Sequence, residues 1–189
     1  MSEFQSKGSI YDKSVLKPRG QVALSSFSFI FSEMLQYFQF SSHSVSDLER
    51  KLEETGYSIG QRMSELIGCR ERLSRRETRI ISMLKFINST VWKHMFNKEA
   101  DNLESSVDNE DEYMIYEQSP ITNTFVSVPD DMGSFNCAAF IAGILSGIMD
   151  SVNFDAKVTA HTIDEGQTQT TVFLVKFSKE VMAREARMG

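Results

Sequence analysis

Cysteine and histidine are scarce in this chain. Cys69 and Cys137 lie far apart with no Cys-x-x-Cys, and His43, His94 and His161 are scattered, so neither a disulfide framework nor a metal site is expected. That cysteine usage suits a reducing cytosol. Positive charge is in the minority: 20 Lys and Arg against 26 Asp and Glu leave a net charge of −6, the wrong sign for a nucleic-acid partner. Long apolar runs are missing as well, since a membrane span needs about 20 mainly apolar residues. Residues 22–40 carry Glu33, Gln36, Gln39 and four serines, while the run from Met132 to Met149 is interrupted by Asn136 and Ser146 and bounded by Asp131 and Asp150. Both are expected to be helices buried in protein. The first twenty residues lack an apolar core and a small-residue cleavage site, so no signal peptide is expected, and Ser2 stands where N-myristoylation requires glycine. Around Gly56 and Gly60 there is no strand, third glycine or lysine of a phosphate loop, and no nucleotide site is supported.

What is present is the balance of one globular domain: 189 residues, 41% hydrophobic and 24% charged, enough to bury a self-sufficient core. Residues 1–21 show no hydrophobic period and read as a flexible N-terminal arm; residues 22–189 read as a single domain. In the first helix Leu24, Phe27, Ile30, Phe31, Met34, Leu35 and Phe38 form one stripe, and Phe29, Tyr37 and Phe40 fall opposite it. Apolar residues on both sides predict protein against both faces. Ser46 and Glu49 have the spacing of a capping box for a second helix with Leu48 and Leu52 inside. Gly56 is expected to break it at a bend, with a further turn through Ile59, Met63, Leu66 and Ile67. Ser74 and Glu77 repeat the capping spacing before a stripe of Ile80, Met83, Leu84, Ile87, Val91 and Met95, widened by Ile81, Trp92 and Phe96.

Seven carboxylates and no cation between Glu99 and Glu112 predict a solvated linker or, for a basic partner, an acidic docking patch. Beyond it the period becomes extended. Tyr113–Gln118 and Ile121–Val128 flank Ser119-Pro120 and predict a hairpin; a helix from about Phe135 to Asp150 is apolar on every face. Its Gly143-x-x-x-Gly147 predicts tight packing on a sheet. Alternation over 154–163 and 168–177 about Asp164-Glu165-Gly166 predicts a second hairpin, and Ser178 can cap a last helix carrying Arg184 and Arg187. The fold class is therefore α+β: helices packed on a four-stranded antiparallel sheet.

Chemistry-bearing groups are few. The available nucleophile pairing is Cys137 with His161, and the apolar helix around Cys137 favours an inert thiol. Cys69 lies among Arg70, Arg72, Arg75 and Arg76 and reads as an ordinary thiol at a helix end, with acylation the alternative because those cations would lower a thiol pKa. The arginines themselves have Glu71 and Glu77 for local pairing. No catalytic residue, metal ligand or cofactor site is assigned. The excess of apolar surface, with fourteen Phe, points to a subunit of an assembly, and a carrier lining an apolar pocket is the alternative.

Gly56-Tyr57-Ser58-Ile59-Gly60-Gln61-Arg62 and Arg76-Glu77-Thr78 resemble the small helix-and-sheet subunits of the TRAPP vesicle-tethering complex. Val91-Trp92-Lys93, Lys98-Glu99-Ala100-Asp101, Val126-Ser127-Val128-Pro129, Asn136-Cys137-Ala138 and Lys157-Val158-Thr159-Ala160-His161 narrow the likeness to the subunit 5 branch, over about residues 22–185. The resemblance implies helices on a four-stranded antiparallel sheet and pairing through early helices, with TRAPP subunit 3 on one side and the longin-like TRAPP subunit 2 on the other. It implies a non-catalytic scaffold in a complex that acts as guanine-nucleotide exchange factor for a Rab-type GTPase in ER-to-Golgi transport. The implied location is cytoplasmic, peripheral at ER and cis-Golgi membranes. The expected partner interface is Leu24, Phe27, Phe31, Met34, Leu35 and Phe38, joined by Tyr57, Ile59 and Met63. Subunit 3 of the family carries an acylated cysteine four residues before Arg-Glu-Thr; that position is Arg72 here and Cys69 is out of register, so an acyl chain is not expected.

Overall fold

A computed structural model of the chain describes residues 22–72, 76–129, 132–133, 135–165 and 168–188. The expected N-terminal arm, the Ser74 cap and Gly166 lie outside the described residues. Among them the order is α1 (Leu24–Ser41), α2 (Val45–Arg70), α3 (Ile80–Phe86), a π turn (Ile87–Val91), α4 (Trp92–Phe96), β1 (Asn102–Ser105), β2 (Glu112–Glu117), α5 (Ala139–Ser151), β3 (Ala156–Glu165), β4 (Thr168–Phe177) and α6 (Lys179–Met188). The strands form one antiparallel sheet in the order β1-β2-β4-β3. The expected α+β class is the observed one.

Two glycine pairs explain the centre of the fold. An added Cβ would lie 2.2 Å from the Phe140 carbonyl oxygen at Gly56 and 2.1 Å from that of Ile144 at Gly60. Reciprocally it would lie 2.2 Å from the Glu53 oxygen at Gly143 and 2.2 Å from the Tyr57 oxygen at Gly147. Each helix therefore needs glycine where the other's backbone presses on it. Gly56 does not bend α2, which runs unbroken for 26 residues, and Gly143-x-x-x-Gly147 packs on this helix rather than on the sheet as the sequence suggested. With α2 on one side and β3 on the other, α5 is buried from Ala139 through Leu145 and again at Gly147–Met149, matching its all-apolar sequence.

The caps differ from the expected ones because tertiary groups take over. Ser44, not Ser46, caps α2 by accepting from the Asp47 amide at 3.2 Å, and Glu49 instead accepts from the Asn136 amide at 2.8 Å across the α2–α5 junction. At the start of α3, Glu77 stays outside the helix and Glu185 of α6 accepts from the Ile80 amide at 3.1 Å while pairing with Arg79 at 2.7 Å. The helix stripe then holds as expected: Ile80, Met83, Leu84, Ile87, Val91 and Trp92 are buried, although Ile81 is exposed. The π turn within this stripe leaves the Asn88 carbonyl to the Ala100 amide at 3.1 Å, and Asn97 ends the run at φ 58°, a left-handed value that Asn tolerates.

The first hairpin is not where the alternation placed it. β2 pairs with β1 inside the acidic stretch, while residues 121–125 form turns in which the Asn123 amide bonds the Pro120 carbonyl. β2 is flanked by β1 and β4 and so has no free edge for Ile121–Val128. The acidic stretch can carry a strand because β1 is an edge whose one charged residue, Glu104, is exposed. Asp101 also accepts from the Gln118 amide at 2.7 Å, and Glu112 and Asp111 pair with Lys176 of β4 at 2.7 and 3.8 Å. The second hairpin is the predicted one. Ile115, Phe173 and Ala160 form one inward row, and the Trp92 ring meets Phe173 edge-on at 5.6 Å.

Candidate partner-binding face

α1 carries a single charged residue, Glu33, and ten of its eighteen residues are Ser or Phe. Two of its serines bond back to the helix: Ser28 donates to Leu24 O at 3.0 Å and Ser41 to Phe38 O at 3.2 Å. The helix therefore presents rings on both sides, and the tertiary contacts decide which side is free. Phe31 is buried, stacked on Phe27 at 5.5 Å and tilted against Phe140 of α5 at 5.5 Å. Phe27, Met34, Leu35 and Phe38 are half-buried against the same core. The stripe expected to form the interface is thus the one that holds α1 to its own domain.

The opposite side is open. Phe29 is 74% exposed, Ile30 72%, Tyr37 71% and Phe40 94%. At 3.6 residues per turn these four fall within a sector of about 100°. Ile30 belongs with them, not with the inner stripe; it lies beside Tyr37 on the wheel, which was the signal that could have placed it. Covering each large side chain contributes about 1.5–3 kcal/mol, so four together are a substantial drive toward association. Leu24, 43% exposed, lies at the helix end over a shallow recess with Phe96, Pro120 and Ile121.

The α2 residues expected on this face divide. Ile59 and Met63 join Phe27, Met95, Phe96 and Phe140 around an apolar cavity of about 360 Å³ beneath α1. Tyr57 points elsewhere: its hydroxyl donates to Asp150 of α5 and accepts from Gln61 Nε2 at 3.2 Å, and the Asp150 hydrogen bond, aided by burial, holds the phenol above its usual pKa.

The cysteines and histidines singled out from the sequence sit in separate settings, apart from Cys137 and His161, which line one recess. Burial pushes the Cys137 thiol up to about 12, leaving it protonated. His161, which shares a cavity wall with Cys137, has its Nε2 2.8 Å from the Thr159 hydroxyl. Cys69 is exposed at the end of α2, outside the apolar cavity. A buried carboxylate that the sequence reading passed over, Glu117, receives Trp92 Nε1 at 2.9 Å, the Ser119 amide at 3.1 Å and the Lys98 ammonium. Strand parity was its signal, because Glu117 shares an inward face with Ile115. Burial alone would lower the Lys98 ammonium, but Glu117 and then Asp101 raise it above its usual value. Among the described residues no metal-holding cluster occurs, and no helix is long and apolar enough to cross a membrane.

Comparison with known proteins places this geometry. The family described as transport protein particle (TRAPP) component matches residues 27–178. The trafficking protein particle complex subunit 5 of Dictyostelium discoideum is 48% identical over 179 residues, covering 94% of this chain and 96% of that protein. The Homo sapiens protein of the same name is 37% identical, covering 95% and 93%. Among solved structures, a trafficking protein particle complex subunit 3 from Naegleria fowleri covalently bound to palmitic acid shares the fold with a TM-score of 0.72 at 18% identity, over 82% of this chain and 95% of that one. With a match across most of its length and close similarity to members named subunit 5, the chain belongs to the TRAPP component family.

Proposed function

We propose that this protein is a non-catalytic scaffold subunit of a TRAPP vesicle-tethering complex and that it docks a sister subunit through the outward face of α1. The observation that carries the reading is the sector of Phe29, Ile30, Tyr37 and Phe40, exposed on a helix whose other side is committed to the chain's own core. A subunit 3 of the family is the partner for this face. The longin-like subunit 2 adjoins elsewhere, and the assembled complex promotes nucleotide exchange on a Rab-type GTPase in ER-to-Golgi transport, at the cytoplasmic side of ER and cis-Golgi membranes. Family membership over the full domain supports the complex; the protonated Cys137 supports the absence of thiol chemistry.

The test is co-expression with a family subunit 3. Phe29→Asp with Phe40→Asp places two charges in an apolar contact and is expected to abolish co-purification, by several kcal/mol of desolvation penalty. Both sites are exposed, so the melting temperature of the lone chain should stay put. Pairing that survives the double change refutes the docking face. A second reading, an acyl or small-molecule carrier, has one observation in its favour, the 360 Å³ apolar cavity. A lipid adduct in native mass spectrometry of the lone chain would favour it over the scaffold.

A further inference from the structure

We infer that α1 is a separately opening unit of this fold, seated on the single buried anchor Phe31 and locked down only when its outer face is covered. The inference rests on the docking face proposed above and adds how that face is regulated. Of the eighteen α1 residues only Phe31 is buried. On either side of it the seat is incomplete: Phe27 borders an open recess of about 360 Å³ and Leu35 one of about 170 Å³, and Phe27, Met34, Leu35 and Phe38 are only half-buried against the core. Polar attachment is confined to one end. Among the described residues, the side-chain hydrogen bonds reaching α1 from elsewhere are those of Lys51 Nζ to the Ser41 carbonyl at 2.6 Å and hydroxyl at 3.0 Å, and that of the following Ser42 hydroxyl to the Phe38 carbonyl at 2.7 Å, all at the C-terminal end. The C-terminal end is also tied covalently to α2 through Ser42, His43 and Ser44. Among the described residues no side-chain hydrogen bond from another element reaches the N-terminal end, and Leu24 there is exposed.

Intrinsic preference does not supply what packing lacks. Ser and Phe are middling helix formers, and helices of about this length are marginal in water without a packed face. When the anchor lifts, the helix therefore melts rather than swinging out intact. The α2–α5 pair behaves in the opposite way, because four backbone-to-glycine contacts lock residues 53–60 of α2 against 140–147 of α5. Local opening of α1 thus lies well below global unfolding in free energy. A partner can bind the outward sector only when α1 is formed and seated. Binding is weakened by the unseated fraction and in turn suppresses it.

Hydrogen exchange of the full chain read by mass spectrometry tests this. In the lone protein, α1 amides should exchange at least tenfold faster than those of α5, a difference of about 1.4 kcal/mol or more in opening free energy. Phe31→Ala should accelerate α1 by a further factor of ten or more and leave α5 unchanged, and Phe31→Leu should fall between. In a purified complex with a co-expressed family subunit 3, α1 should become as protected as α5. Equal exchange of α1 and α5 in the lone chain overturns the inference, and so does a Phe31→Ala chain that unfolds as a whole. The two readings fail separately. If Phe29→Asp with Phe40→Asp leaves pairing intact while α1 still exchanges fast, the docking face is wrong and the opening unit stands.

Discussion

Replacing a glycine of α2 by alanine should change stability with opposite sign at two positions eight residues apart. At Gly60 the new Cβ would sit 2.1 Å from the Ile144 oxygen, 2.9 Å from its carbonyl carbon and 3.0 Å from its Cα, all backbone atoms that no rotamer change can move aside. Relief requires α2 and α5 to part by more than an ångström, which opens the most tightly packed seam of the domain. Overpacking of this kind costs about 1–3 kcal/mol, occasionally more. Three immovable backbone atoms at or within 3.0 Å place Gly60 at the upper end of that range, and alanine returns about 1 kcal/mol of helix propensity, so Gly60→Ala is expected to destabilise by roughly 2 kcal/mol. At Gly68, in the same helix, nothing lies within 4 Å of the added atom. There only the propensity gain acts, about 0.5–1 kcal/mol in favour of the variant. For a chain of this size about 2–4 °C corresponds to each kcal/mol, giving a fall of roughly 4–8 °C for Gly60→Ala and a rise of roughly 1–4 °C for Gly68→Ala. Differential scanning fluorimetry, checked by circular dichroism, measures both. A Gly60→Ala protein that melts with or above the parent refutes the interhelical glycine argument.

Other consequences follow from the polar groups. Trp92→Phe keeps a ring against Phe173 but removes the donor to buried Glu117, and should cost about 1.5–3 kcal/mol in urea unfolding followed by circular dichroism, as for a hydrogen bond to a charged group. Glu185→Ala removes the cap that α6 provides for α3 and should lower stability by about 0.5–2 kcal/mol, with faster amide exchange confined to the first turn after Ile80. With its pKa at about 12, Cys137 is ionised in only about one molecule in ten thousand at pH 8, so brief iodoacetamide treatment of the native protein should give one adduct, on Cys69. Tyr57 has a raised pKa, so the contribution of its hydrogen bond to Asp150 is intact below about pH 10, the unfolded value, and is lost as pH rises through the folded value. Asp150→Asn should bring its phenolate absorbance to lower pH.

Much of the fold was legible because its strongest signals are periodic and local. The stripe from Ile80 to Val91, the apolar surround of α5 and the alternation of β3 and β4 each lie in one continuous segment, and each led to an element of the right type. The misplaced first hairpin shows where that reasoning stops. Ile121–Val128 has strand composition, but a strand needs an edge to pair with, and β2 had given both of its own to β1 and β4. Capping failed for a related reason. Ser46 and Glu49 had suitable spacing, yet Glu49 finds a better use at the Asn136 amide of a distant segment, and α3 takes its cap from Glu185, 105 residues away.

The face of α1 draws the line between the two sources most clearly. Composition and the helical wheel by themselves determined that this helix has rings on opposite sides and that one small domain would not cover both. Only the tertiary structure decided that Phe31 turns inward to Phe140 while Phe29, Ile30, Tyr37 and Phe40 face out. The physical reason is that hydrophobic burial has no direction of its own. Either stripe would gain similar free energy from cover, so orientation is set by where α2 and α5, fastened through their glycines, leave space for a ring.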